Sequence, residues 1–162
     1  MKVLVFSDSH SGLSFMRAAV KAVSPDAMIH LGDHYADGDT IAFENPNIPM
    51  LQVPGNCDRY RVQGKPEMLC TSLFGVLLYM VHGHNEGVKM TLCRLLADAR
   101  AAGAQAVLYG HTHRVDCHTE PDGLLVLNPG SCGSYSGSAA VMEIKDGKIA
   151  SCRILTSDMF TW

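Results

Sequence analysis

Five short segments of the chain carry histidine, carboxylate or carboxamide side chains. Imidazole and carboxylate together are the ligands that Zn, Mn, Fe and Ni accept in proteins, and one aspartate can bridge two cations. Glycines within or beside four of the segments let the backbone turn sharply near bound ions. The segments are Asp8-Ser9-His10, Gly32-Asp33 with Asp37, Gly55-Asn56-Cys57-Asp58, His82-Gly83-His84 and Gly110-His111-Thr112-His113.

Each of these segments follows a run of apolar residues that has the length of a buried strand. In open α/β sheets, ligands bind outside the carboxyl ends of the strands, so we expect the five segments to meet at one edge. The predicted strands before them are Val3–Phe6, Ala27–Leu31, Met50–Val53, Gly75–Val81 and Ala106–Tyr109.

The rest of the pattern predicts how these strands are arranged. Helical spacing of apolar residues predicts helices over Leu13–Val23, Gly38–Glu44 and Val88–Ala102, the last ended by Gly103. Because the first half alternates strand with helix and the second half is mostly strands, we predict an α/β sandwich of two sheets with helices outside. The further strands are predicted at Glu67–Leu73, Val115–Thr119, Gly123–Leu127, Ala139–Ile144 and Lys148–Leu155.

Length and composition limit the function classes. The 162 residues are predicted to form one domain, 1–162, and 13 Lys and Arg against 16 Asp and Glu give a net charge of −3. A protein without a broad basic field is a poor candidate for binding many nucleic-acid phosphates. The six cysteines include no C-x-x-C pair, and no apolar run has the length of a signal or membrane-spanning segment, so we expect a cytoplasmic protein with reduced thiols and no membrane partner.

The five segments, in this order and each after a strand, resemble the signature of the calcineurin-like metallophosphoesterase superfamily. The short chain, Cys57 and the Asn128-Pro129-Gly130-Ser131 segment are similar to its small YfcE-type phosphodiesterase branch. The resemblance implies a four-layer αββα sandwich of two mixed β-sheets flanked by helices. It also implies a phosphoric diester hydrolase that cleaves small phosphodiesters by in-line attack of a metal-bridging hydroxide. Two divalent ions are implied, with Mn preferred and Ni, Zn or Fe as alternatives.

The resemblance further assigns individual residues. Asp8, His10 and His113 would hold the first metal, Asn56, His82 and His111 the second, and Asp33 would bridge them. Two divalent ions outweigh two aspartates and a hydroxide, so the ligand shell keeps a charge of about +1 that attracts a phosphodiester anion. The residues predicted to be catalytic are Asn56, Cys57, Asp58 and His84.

The general acid is left open by the sequence. Many superfamily members have histidine where this chain has Cys57, and a thiol with a reference pKa near 8.5 is a poor substitute. We predict that His84 contacts the substrate phosphate or protonates the leaving group. Asp37 and Asp58 are either exposed turn carboxylates or, as their motif positions favour, groups that orient ligand histidine rings.

Other residues allow more than one interpretation. His30 and His118 are predicted to be structural, His34 lines the pocket at most, and Asn128–Ser131 is either a plain turn or a loop on the phosphate side. The pocket walls are expected from the loops 35–48 and 58–66. The apolar tail with Met159, Phe160 and Trp162 packs on its own domain or at a contact between subunits of a homo-oligomer (dimer or tetramer).

Two other function classes compete with a phosphodiesterase. A retromer subunit related to this fold works as a non-catalytic scaffold with a degraded metal site, whereas every expected ligand position is filled here. A phosphomonoesterase or a nuclease could use the same site. A nuclease needs a larger groove or added basic surface, so the short chain and its negative charge favour small substrates.

Overall fold

The computed structural model describes residues 1–58, 62–133 and 136–160 and contains two five-stranded sheets in the described residues. Both sheets are mixed. The first has the order β10-β9-β1-β2-β3 and the second has the order β4-β5-β6-β8-β7. The strands are β1 (Lys2–Phe6), β2 (Ala27–His30), β3 (Met50–Gln52), β4 (Met68–Leu73), β5 (Val76–Val81), β6 (Ala106–Leu108), β7 (Val115–Thr119), β8 (Leu125–Pro129), β9 (Ser138–Lys145) and β10 (Lys148–Thr156).

The apolar side chains divide into three clusters that define four layers. One cluster lies between the two sheets and joins residues such as Val5, Leu78 and Met142. A second packs helix α1 (Leu13–Val23) and α2 (Tyr35–Glu44) on the outer face of the first sheet, and a third packs α3 (Cys93–Ala101) on the outer face of the second. The predicted αββα sandwich is therefore confirmed.

Helix α3 begins five residues later than the predicted Val88. The Val88 side chain is buried, its N–H donates to the Gly83 carbonyl at 3.3 Å, and a Cβ at Gly83 would collide with it. Val88 therefore closes a turn onto Gly83 and takes no part in an apolar helix face. At the actual start of the helix, the Cys93 N–H donates to Thr91 Oγ1 at 3.2 Å.

Smaller differences have equally local causes. Strand β8 begins at Leu125, two residues after the predicted start, because Gly123 adopts a φ of +91° in the preceding turn. Phe160 packs edge-on against Phe15 with ring centroids 5.5 Å apart, so this part of the tail lies on its own domain, whereas Trp162 lies outside the described residues. Residues 59–61 of the predicted pocket loop are also outside them.

The topology brings the polar segments together. Strands β1, β2 and β3 are mutually parallel, as are β5, β6 and β8, so each set ends at one rim of its sheet. Hydrogen bonds join the two rims, since the His111 N–H donates to Asp8 Oδ2 and the Cys132 N–H donates to the Ser7 carbonyl. In the described ranges, no helix has both the length and the apolar character that crossing a membrane requires.

Candidate metal centre

Asp8, in the loop after β1, has one carboxylate oxygen that accepts hydrogen bonds and one that accepts none from the described residues. Oδ2 accepts hydrogen bonds from Ser7 Oγ at 2.6 Å and from the His111 N–H at 3.0 Å. Oδ1 is fully buried and accepts no hydrogen bond from any described residue, although His113 Nε2 lies 3.1 Å away. A buried charged acceptor without a donor is costly, which is the situation that a bound cation relieves.

The first predicted ligand set is assembled around this oxygen. The ligand atoms of Asp8, His10 and His113 lie within 4.8 Å of one another, and the two imidazole centroids are 5.3 Å apart. His10 comes from the turn after β1 and His113 from the loop after β6. The two sheets thus contribute to one three-residue group, as the motif order predicted.

His82, at the end of β5, has its ring oriented by a backbone carbonyl. Its Nδ1 lies 2.7 Å from the Leu31 oxygen, and because a carbonyl only accepts, Nδ1 carries the proton. In the neutral ring, the Nε2 lone pair then faces Asn56 Oδ1 at 3.2 Å, Asp33 Oδ2 at 3.5 Å and Asp8 Oδ1 at 3.9 Å. Four acceptor atoms therefore converge here without a donor. This arrangement fits a metal ion bound by a histidine whose ring is oriented by a hydrogen bond to the backbone.

The pKa values report the same convergence of charge. Burial alone would lower the pKa of His82, but Asp33 and Asp8 outweigh burial and raise it. At Asp33, burial alone would raise the pKa of the carboxyl group. His82 and the Cys57 N–H, which donates to Oδ1 at 2.8 Å, outweigh burial and hold this pKa well below its usual range. Both shifts have the same cause, since two carboxylates lie close to one buried imidazole and positive charge is favoured between them.

The second candidate group contains Asp8, Asp33 and His82, whose ligand atoms also lie within 4.8 Å of one another. Asp8 is thus the residue common to both groups, whereas the sequence analysis placed Asp33 between the metals. Asn56 joins this group through its contact with His82. His111 is in neither group, although its ring lies 5.1 Å from that of His82, and burial, His82 and Lys89 lower its pKa to about 4.

The backbone at these residues is unusual. The left-handed region costs energy for any residue with a side chain, and strained residues cluster at functional sites. Nine described non-glycine residues have positive φ, and five of them are predicted metal ligands: Asp8 (51°), His10 (40°), Asp33 (47°), His111 (67°) and His113 (57°). Hydrogen bonds such as Asp8 N–H to the Gly32 carbonyl, 2.9 Å, hold these turns in place.

Two glycines leave room for the carboxylates. A Cβ at Gly55 would overlap Asp33 Oδ1, and a Cβ at Gly110 would overlap Ser7 Oγ, which donates to Asp8. Both positions lie in the loops that follow β3 and β6, where the loops approach closely. Glycine is therefore required here because it allows close approach of a charged side chain to the backbone.

Asp37 and Asp58 bind mainly backbone N–H and hydroxyl groups, whereas their motif positions favoured a role in orienting histidine rings. Asp58 is buried and accepts three backbone N–H groups, from Gly55 at 2.8 Å, Tyr35 at 2.9 Å and Asp33 at 3.0 Å. Asp37 Oδ2 accepts Ser9 Oγ at 2.6 Å and the Ser11 N–H at 2.8 Å, and it lies 3.9 Å from His34 Nδ1. Both carboxylates hold ligand-bearing loops, so Asp58 acts on the backbone around Asp33.

Asn128 and Ser131 support the ligand loops from inside the protein. Both are buried. Asn128 Nδ2 donates to the Gly110 carbonyl at 3.0 Å and to Thr112 Oγ1 at 3.1 Å, and Ser131 Oγ donates to the Asp8 carbonyl at 2.8 Å. This segment is therefore more than a plain turn, since it fixes the loops that carry Asp8 and His111.

Three residues line the site without joining a ligand group. The ring of His34 packs edge-on to His10 at 5.1 Å. His84 lies 5.5 Å from His82, its Nδ1 is buried without a hydrogen bond from any described residue, and burial and His82 lower its pKa. Desolvation and the Asp33 carboxylate raise the pKa of Cys57 to about 11, which keeps this side chain a neutral thiol.

His30, predicted to be structural, belongs to a buried network that the sequence did not reveal. Its Nδ1 accepts the Gly32 N–H at 3.2 Å, so Nε2 donates to Ser9 Oγ at 3.0 Å, and Ser9 in turn donates to Asp37. The network joins the loops after β1 and β2 to α2. Complete burial lowers the pKa of His30 to about 4, and the ring is neutral at pH 7.

This burial predicts a pH dependence of stability. Between the folded pKa of about 4 and the ordinary value of 6.5, the unfolded state binds more protons, so lowering the pH destabilises the fold. We expect His30 to account for about 2 kcal/mol of lost stability between pH 7 and pH 5. In urea unfolding with a chelator present, His30→Gln, which keeps a donor toward Ser9 without titrating, should flatten the dependence.

The matched control is the exposed His118. Asp116 raises the pKa of this ring, so its contribution grows as the pH falls, and His118→Gln should not flatten the curve. If His30→Gln loses stability between pH 7 and pH 5 as steeply as the unchanged protein, the prediction fails.

Comparison with known proteins places these residues in a family. Residues 1–147 match the model described as the calcineurin-like phosphoesterase superfamily domain. A probable metallophosphoesterase of Bacillus subtilis, YsnB, is 35% identical over 133 residues, covering 81% of this chain and 75% of the relative. The phosphodiesterase MJ0936 of Methanocaldococcus jannaschii is 28% identical over 162 residues, covering 90% of this chain and 93% of that protein.

Solved structures share the same architecture. A predicted phosphoesterase from Streptococcus pneumoniae superposes with a TM-score of 0.78 at 29% identity, covering 97% of this chain and 90% of that one. Vps29 from Chaetomium thermophilum has a TM-score of 0.72 at 19% identity, covering 96% and 97%, a likeness that shows the fold alone.

Proposed function

The chain belongs to the calcineurin-like phosphoesterase superfamily and is a phosphoester hydrolase, and we propose that it cleaves small phosphodiesters at a site for two divalent metal ions. The observation that carries this proposal is the convergence of acceptor atoms around Asp8 Oδ1, which is buried and lacks a hydrogen bond among the described residues. A relative named as a phosphodiesterase supports the preference for diesters.

The chain offers seven ligands to the two ions. Asp8, His10 and His113 are proposed for the first, and Asn56, His82 and His111 for the second. Asp33 is proposed to hold both ions, and the Cys57 N–H that donates to its Oδ1 at 2.8 Å orients the carboxylate. We propose Mn²⁺, with Ni²⁺, Zn²⁺ or Fe as alternatives, because imidazole and carboxylate ligands suit all four. When bound, such ions polarise phosphate oxygens and lower the pKa of a water that attacks phosphorus in line.

Charge explains why a chain with a net charge of −3 would bind a phosphate diester. Two divalent ions exceed the charges of Asp8, Asp33 and a hydroxide by about +1, and this positive charge is local to the rim of the sheets. Lacking a broad basic surface, the protein is suited to small substrates and not to long nucleic acids.

Metal removal and replacement test the proposal. The protein is stripped with a chelator, reconstituted separately with Mn²⁺, Ni²⁺, Zn²⁺ or Fe²⁺, and assayed with bis(p-nitrophenyl) phosphate and p-nitrophenyl phosphate. These substrates have the same leaving group but differ as diester and monoester. We expect turnover only after metal is restored, and faster cleavage of the diester. Absence of metal-dependent turnover with every ion would refute the hydrolase assignment, and faster monoester cleavage would refute the diester preference.

We propose that His84 donates a hydrogen bond to the substrate phosphate. The lowered pKa leaves the ring neutral at pH 7, so one ring nitrogen carries a proton, and the ring lies 5.5 Å from that of His82 and 6.1 Å from that of His111. His84→Ala should lower kcat/KM about tenfold for diesters with good and poor leaving groups alike, the size of one lost hydrogen bond to a charged group. His84→Gln, which retains a donor, should recover part of the loss.

The comparison of leaving groups separates two roles for His84. A general acid matters most for poor leaving groups and contributes roughly a hundredfold or more. A loss confined to poor leaving groups would therefore assign proton transfer to His84, and unchanged kinetics on both substrates would remove it from the mechanism.

A non-catalytic scaffold is the second candidate, suggested by the shared fold of Vps29. All seven predicted ligand positions are filled by residues that can bind metal, which favours an enzyme. A cytoplasmic location is proposed because all six cysteines are free, as expected for a reducing compartment. The association of the chain into a homo-oligomer, a dimer or a tetramer, also stays a prediction.

A further inference from the structure

A cavity of about 520 Å³ lies next to the metal-binding loop after β6. The turn after β5 lines one side through Val88 and Lys89, and the loop 112–116 lines the other through Thr112 and Arg114. Thr112 stands between His111 and His113, so the cavity and the metal centre share one loop. Its volume is in the range of a small-ligand pocket.

The free charges of this cavity are positive. Neither Lys89 nor Arg114 forms an ion pair or a side-chain hydrogen bond with the residues that the structure describes. The one carboxylate lining the cavity, Asp116, already accepts hydrogen bonds from Tyr109 Oη at 2.8 Å and from His118 Nδ1 at 2.6 Å. Two uncommitted cations in a chain of net negative charge indicate a site for an anion.

The backbone under both cations is fixed. Val88 is buried against Gly83, and its N–H donates to the Gly83 carbonyl at 3.3 Å, which fixes the backbone next to Lys89. The Arg114 N–H donates to Thr112 Oγ1 at 3.2 Å, and Asn128 Nδ2 donates to the same oxygen at 3.1 Å. Binding of an anion here would therefore need to order only the side chains of Lys89 and Arg114, since the backbone is already fixed.

We propose that this cavity binds a second phosphate of the substrate, between Lys89 and Arg114, while the diester phosphate lies at the metal centre. The inference rests on the proposed function and narrows its substrate class to small phosphodiesters in which one ester arm carries a further phosphate. Arg114 supplies paired N–H donors that match phosphate oxygens, and Lys89 supplies a compact charge. The apolar walls at Val88 and Val115 fit the organic part of that arm.

Binding measurements test the cavity without requiring turnover. Thymidine 5′-monophosphate and thymidine 3′,5′-bisphosphate are titrated calorimetrically into the metal-loaded protein. We expect the bisphosphate to bind about tenfold more tightly, and Lys89→Gln and Arg114→Gln each to reduce this ratio several-fold. The double variant should bring the ratio near one. Lys145→Gln, at the exposed end of β9, makes the same charge change far from the cavity and should preserve the ratio.

The outcomes separate this inference from the proposed function. Equal affinities for the two nucleotides, binding of neither, or a ratio that survives in the double variant would overturn the second phosphate site. Turnover is then compared for the p-nitrophenyl esters of thymidine 5′-phosphate with and without a 3′-phosphate. Turnover of both at equal kcat/KM overturns the site and leaves the hydrolase intact. Tighter bisphosphate binding without turnover of either ester keeps the site and refutes the phosphodiesterase.

Discussion

Asp8→Asn should lower kcat/KM for bis(p-nitrophenyl) phosphate by about a thousandfold or more, equivalent to about 4 kcal/mol of transition-state stabilisation. Oδ2 accepts Ser7 Oγ and the His111 N–H, so the amide oxygen of the variant occupies that position. The amide NH₂ then points toward His113 and the metal ligands, where Asp8 Oδ1 was. A donor replaces the acceptor that is common to both candidate groups, so the first metal loses a ligand and the second site gains an NH₂ group where it had a carboxylate oxygen.

Metal content measured by mass spectrometry should fall together with activity. Asp146→Asn, an exposed turn residue at a φ of +51° that asparagine tolerates, is the control and should retain both. Circular dichroism checks that the variant is folded, which we expect because the amide oxygen keeps both hydrogen bonds that Oδ2 accepts. An Asp8→Asn protein that keeps two metals and most of its activity would contradict the assignment.

Gly55→Ala should disturb the site through Asp33. The added Cβ overlaps Asp33 Oδ1, the oxygen that accepts the Cys57 N–H, so the carboxylate must leave its present position 3.5 Å from His82 Nε2. We expect a 10- to 100-fold loss of metal affinity, as for other disrupted ligand supports. Overpacking should also cost about 1–3 kcal/mol of unfolding free energy.

Gly64→Ala is the matched control for this change. Gly64 has open space around its Cβ position but a φ of +81°, so alanine there should cost about 1 kcal/mol of stability and leave metal affinity unchanged. Metal titration followed by urea unfolding measures both quantities. If Gly55→Ala binds metal as Gly64→Ala does, the close contact with Asp33 does not control the site.

Much of the fold follows from local patterns. The apolar runs before Ser7 and Gly32 are long enough only for buried strands, and the structure places strands there within a residue or two. The start of α3 was predicted wrongly because Val88 fits a helical apolar pattern, yet Gly83 offers it a better burial site across a turn. A residue with two available apolar environments cannot be assigned from spacing alone.

The sequence by itself determined which residue types stand after which strands. Because these strands run parallel within each sheet, the residues that follow them meet at one rim, where α/β proteins bind their ligands. Only the tertiary structure decided that Asp8 has one free oxygen, that the Leu31 carbonyl orients His82, and that Asp58 binds backbone amides. Every residue except proline has the same backbone donor and acceptor, so no side-chain pattern reveals where these groups bind. Their positions depend on how closely two sheets pack, which is a property of the whole core.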